Sequence, residues 1–180
     1  MKKISVFFII GFMSTLGVAQ DKTFEKLPGF VDMGQILNLQ EGELTTEIEI
    51  KNPLLSLVAN MSEAEDSDLA KLLRGLELIK VYKFESSESK LDNIKQKLES
   101  LDLQLKKNKW DQFVKIREKD QYSNIYMMSG DSTINGLTVF TIDGNETVLI
   151  NIVGDIDLSS IGKMGRKFNI PELDTLEMKN

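Results

Sequence analysis

The chain has no cysteine and no histidine among its 180 residues, and only three prolines and one tryptophan. Without cysteine there is no disulfide, no thiolate nucleophile and no cysteine-ligated zinc. Without histidine there is no histidine-based catalytic triad and no haem ligand of that type. A net charge of -6 argues against nucleic acid or an anionic membrane as the main partner. Familiar chemical signatures are missing too: there is no glycine-rich phosphate loop and no Gly-x-Ser-x-Gly elbow. No catalytic residue, no metal ligand and no cofactor is therefore expected.

What is present begins with a targeting pattern. Met1-Lys2-Lys3 precedes an apolar run from Ile4 to Met13, and Gly17-Val18-Ala19 supplies small residues at cleavage offsets. This predicts a secretory signal peptide over residues 1–19, with Gln20 as the first mature residue. The run is shorter than the roughly 20 residues a membrane span needs, and no later segment approaches that length. The expected product is exported to the periplasm or beyond, with no stable membrane span after cleavage. Lacking disulfides, it must take its stability from its core.

The remaining residues suffice for one domain with a substantial core. A lead-in over residues 20–44 holds Leu27-Pro28-Gly29-Phe30 and the apolar Val31, Met33, Ile36, Leu37 and Leu39. It is expected to pack on the domain. Residues 45–170 form a single α+β domain, and residues 171–180 a tail. Strict alternation makes Thr45 to Ile50 a half-buried strand, with Glu47 and Glu49 on its wet side. Asn52 and Pro53 read as N-cap and first helical residue. Leu54, Leu55, Leu57, Val58 and Met61 supply that helix's apolar side. Asp66 caps a second helix closed by Gly75. Leu76 to Phe84 is the next strand, joined to the first by a right-handed crossover if the two run parallel.

A long helix follows from Ser87 to Leu105, with Leu91, Ile94, Leu98, Leu101 and Leu105 at helical spacing. Trp110 opens a strand in which Val114 and Ile116 face one way and Phe113, Lys115 and Arg117 the other. Asn124 to Ser129 is another strand. The polar stretch Gly130 to Gly136, which includes Asp131 and Asn135, then leads into a hairpin.

That hairpin, Leu137 to Gly154, is the strongest local signal. Placing Phe140 and Ile142 on one face with Val148, Ile150 and Ile152 requires an odd loop, Asp143 to Asn145. Gly154 is expected to end the second strand. Asp157 is expected to cap a short helix carrying Leu158, Ile161 and Phe168. The fold class is thus α+β: a single, mostly antiparallel sheet of about six strands with helices packed on one face. A C-terminal β-meander is followed by the short helix.

Leu27 to Asp32, the strand ending in Asn52-Pro53-Leu54-Leu55, Trp110 at a strand start and Val153-Gly154-Asp155-Ile156-Asp157-Leu158 together resemble one family. It is the domain of unknown function 4252 family, exported proteins chiefly of Bacteroidetes. The resemblance implies an exported domain and carries no active site with it. Many relatives are lipoproteins, and this chain departs from that pattern by lacking the cysteine.

The acidic pair Asp155 and Asp157 reads as a cap region, and the run Glu63, Glu65, Asp66, Asp68 as a solvated helix junction. The expected function is a non-enzymatic protein-binding module acting on another envelope protein. The alternative is a small-ligand or ion binder, or a carboxylate-dependent hydrolase. The surface expected to bind comprises Glu47 and Glu49, Lys115 and Arg117 on a sheet face free of helices, and the loop residues Asp131 and Asn135.

Overall fold

The computed structural model describes residues 21–33, 43–118, 121–131 and 133–157. The expected signal peptide, the apolar residues Ile36 to Leu39 and the expected helix after Asp157 lie outside them. A 3-10 turn at Asp21–Lys26 precedes β1 (Glu43–Lys51), α1 (Asn52–Ser62), α2 (Ser67–Gly75) and β2 (Leu76–Glu85). Then come α3 (Glu88–Lys107), β3 (Trp110–Arg117), β4 (Gln121–Ser129), β5 (Ile134–Asp143) and β6 (Glu146–Ile156). The six strands form one sheet in the order β1-β2-β6-β5-β4-β3, and every neighbouring pair is antiparallel. The single antiparallel sheet and the β3–β6 meander match the expectation.

Because β1 and β2 are antiparallel, no crossover joins them. The α1–α2 pair is instead a helical excursion at the end of a hairpin. Lys51 occupies the N-cap position of α1 and makes no side-chain cap bond. Asn52, expected there, is already helical. Its side chain donates to the Leu76 carbonyl at 3.2 Å and accepts from the Ser56 hydroxyl at 3.0 Å. Asp66 caps α2 as expected, accepting from the Leu69 N–H at 3.1 Å.

The hairpin loop differs from the expectation. Asp143 pairs with Glu146, so Gly144 and Asn145 make a two-residue turn. Phe140 therefore sits opposite Leu149 and Ile142 opposite Thr147, while Ile150 faces away with Val139. The reason lies in where β6 runs. It is a central strand, apolar on both sides, so matching apolar residues to a single face cannot choose its register. Leu149 and Val153 are fully buried, whereas Ile150 and Ile152 are half-buried on the other side. Nor does Gly154 end β6, which continues to Ile156.

One face of the sheet, carrying Phe84, Leu149, Phe140, Ile142 and Tyr126, packs beneath Leu98, Leu101 and Leu105 of α3. The opposite face is covered at one end. There Ile50, Ile79, Ile152 and Leu137 pack with Leu55 of α1 and with Leu72 and Leu73 of α2. The helices are thus divided between the two faces rather than gathered on one. The cause is that β6 and β2 carry a second apolar row, including Ile152 and Ile79, which needs its own cover.

Candidate functional site in the α3 cleft and on the α1 face

A polar network lies between α3 and the β3–β4 edge of the sheet. A register shift between Gln112 and Val114 brings Lys115 opposite Asn124 and Arg117 opposite Tyr122, on the face that carries α3. Asn124, with no exposed surface, is the hub. Its amide donates to the hydroxyls of Tyr122 and Tyr126, both at 3.0 Å. Its oxygen accepts from Gln112 and from Arg117, both at 3.1 Å. Tyr126 in turn donates to Asp102 of α3 at 2.5 Å, and Lys106 also binds that carboxylate. The Arg117 guanidinium lies 3.4 Å from the centre of the Tyr122 ring, in a cation–π stack.

The electrostatics describe an anchor rather than an acid–base pair. Burial, then the Asp102 carboxylate, push the Tyr126 phenol well above its ordinary range, so it stays protonated and donates. Burial likewise raises Tyr122. For Asp102, burial works to raise the carboxyl, but the bonds from Tyr126 and Lys106 and the Lys106 charge outweigh it. Its pKa falls below the ordinary value, and it remains an ionised acceptor. A groove of about 440 Å³ opens beside Arg117 and Tyr122, with Lys95 and Glu99 of α3 on its other wall.

The residues expected to bind do not form one patch. Glu47 and Glu49 lie on β1, and Lys115 and Arg117 on β3, the two opposite edges of the sheet. Five strand spacings of about 4.8 Å separate those edges by roughly 24 Å. Their shared face is the one beneath α3, not a helix-free face as expected. Glu47 is opposite Tyr82, just as Arg117 is opposite Tyr122. Glu47, Glu49, Lys115 and Arg117 nevertheless remain exposed, because they stand on the edge strands of that face. Glu49 pairs with Lys51 at 2.7 Å and Lys80 at 2.8 Å, and those bonds lower its pKa. Lys115 is exposed. Asp131 is exposed in the loop before β5, and Asn135 lies within β5, its backbone against Gly29.

Two features escaped sequence reasoning. The first is the apolar face of α1. Only Leu55 and Ala59 of that helix are buried, whereas Leu54, Leu57, Val58 and Met61 are 52%, 56%, 40% and 73% exposed. These four sit at positions i, i+3, i+4 and i+7, a single stripe roughly 120° around the helix from the buried side. The signal was in the sequence: five large apolar residues in eight positions are more than one contact face uses. The second is the place where the lead-in packs: it packs on the domain as expected, but by sending Val31 and Met33 into the core under α3.

The geometry defines a class: an open antiparallel α+β sheet domain in which the buried Asn124, Tyr122 and Tyr126 bind one another. Glu63 pairs with Arg74, and Asp157 with Lys71 at 2.7 Å, so these acidic groups too have partners within the chain. The family described as Domain of unknown function (DUF4252) matches residues 39–164, and the chain belongs to that family. No curated protein and no solved structure matches it.

Proposed function

We propose that this protein is an exported, non-enzymatic binding module of the cell envelope that docks a partner protein through the apolar face of α1. Export rests on the basic start, short apolar run and small-residue site of residues 1–19. The observation that carries the docking surface is the exposed stripe of Leu54, Leu57, Val58 and Met61. Contiguous exposed apolar area is costly to keep in water and marks interaction surfaces. A helix presenting i, i+3, i+4 and i+7 anchors suits an apolar groove on the partner.

The sheet edges are poorer candidates. β1 carries Glu43, Glu47 and Glu49, and β3 carries Asp111, Lys115 and Arg117 with an irregular register; charge and bulges both discourage strand addition. The test is cross-linking and capture from the native envelope with wild type and with Leu57→Glu/Met61→Glu. The double variant is expected to keep its circular dichroism spectrum and to lose the partner captured by wild type. Equal capture by the folded variant would discard the α1 face.

A further inference from the structure

Residues Gly29 to Met33 lie in the cleft between α3 and the sheet as a bound extended peptide would. Alternate side chains point inward: Val31 and Met33 are buried in the cluster under α3, while Phe30 is half-buried and Asp32 exposed. The polar recognition engages backbone. Asn151, fully buried in central β6, donates to the Gly29 carbonyl at 2.9 Å and accepts from the Val31 N–H at 3.0 Å. The Gly29 N–H meets the Met128 sulfur at 3.1 Å.

Gly29 itself is required by the approach. It has φ +87°, and a Cβ there would stand 2.1 Å from the Asn135 carbonyl oxygen. Main-chain bonds with pockets for every second side chain are how proteins hold extended peptides from other chains. The groups that build the slot, including Asn151, Met128, Leu101 and Leu105, lie inside the family match over residues 39–164; its occupant precedes that match.

We propose that this cleft is a peptide-binding slot, filled in cis by Gly29–Met33, and that it accepts in trans an extended segment of the same pattern from a different partner protein. That pattern is a glycine followed by aliphatic side chains two and four positions later. The cis segment has the advantage of tethering, an effective concentration on the order of millimolar, so a trans segment binds measurably only when the cis one is displaced.

The test uses the mature chain and a synthetic peptide with the sequence of Leu27–Met33. Trp110 is the sole tryptophan and lines the groove beside Phe30, Val31 and Asp32, so its fluorescence reports occupancy. Gly29→Ala should expel the cis segment while leaving the slot intact. The folded variant is expected to bind the peptide roughly tenfold or more tightly than wild type does, with recovery of the wild-type emission. Adding Asn151→Leu should abolish that gain. Val31→Ser, which removes an apolar anchor instead, provides a second route to an open slot. Failure of the peptide to bind either folded variant, or equal binding to wild type and variants, would overturn the proposal. Loss of folding in both variants would also overturn it, because the segment would then be an integral strand rather than an exchangeable occupant. A wild-type dimer dispersed by the peptide would assign the slot to a second copy and overturn the choice of a different partner protein.

Discussion

Tyr126 of β4 donates its hydroxyl proton to Asp102 of α3 across 2.5 Å, tying that helix to the sheet through a buried phenol. Both partners are held in the protonation states that the bond needs, the tyrosine neutral and the carboxylate ionised. Tyr126→Phe should therefore cost about 1–3 kcal/mol, since Asn124 and Asp102 each lose a hydrogen-bond partner. The Asp102 pKa is lower folded than unfolded. Its contribution is present above the unfolded value and lost as pH falls through the folded one. Denaturant midpoints of wild type and Asp102→Asn should thus differ at pH 7 and draw together only as the pH falls below the ordinary carboxyl value of about 4.

Leu149 and Ile150 are adjacent on β6, yet one is fully buried under α3 and the other is half-buried on the opposite face. Leu149→Ala should cost about 2–5 kcal/mol as a full cavity in the core. Ile150→Ala should cost clearly less, because part of its side chain already meets water. Equal losses in urea unfolding would contradict the two-residue turn that sets this register.

Lys115 and Arg117 share a strand and a charge but not an environment. Lys115→Glu should shift stability by no more than about 0.5 kcal/mol, as at an ordinary exposed site. Arg117→Glu removes the stack on Tyr122 and the bond to Asn124, and sets a carboxylate against a hydrogen-bond acceptor. A loss of about 1–2 kcal/mol is expected from those two interactions. Thermal unfolding of the two single variants separates these outcomes.

Gly154 has φ +136°, and a Cβ added there would stand 2.3 Å from the Gly75 carbonyl oxygen. Here β6 and the α2–β2 junction touch backbone to backbone. Gly154→Ala should cost more than the roughly 1 kcal/mol of an average single substitution, and the helical excursion should loosen with it. Hydrogen exchange is the suitable measurement: faster exchange confined to α1, α2 and the end of β6 is expected, with β4 and β5 unaffected. Protection unchanged in α1 and α2 would show that the contact is dispensable.

Local pattern alone determined which residues form most of the elements. The leucine spacing of α3, the Asp66 cap, the alternation of β1 and β3 and the late meander were all legible, because each depends on near neighbours in sequence. The α+β class followed from their order. Three matters were decided only by tertiary packing. Strand β6 has two apolar sides, so its register with β5 depended on α3 covering one of them and α1–α2 part of the other. The face of Lys115 and Arg117 depended on a register shift in β3, which period-two alternation does not reveal. Finally, the clamp between Asn151 and Gly29 joins residues 122 positions apart. A buried asparagine flanked by Ile150 and Ile152 looks like a strand's wet side in sequence. It is buried because a distant backbone segment supplies its hydrogen bonds, and only the folded chain brings the two together.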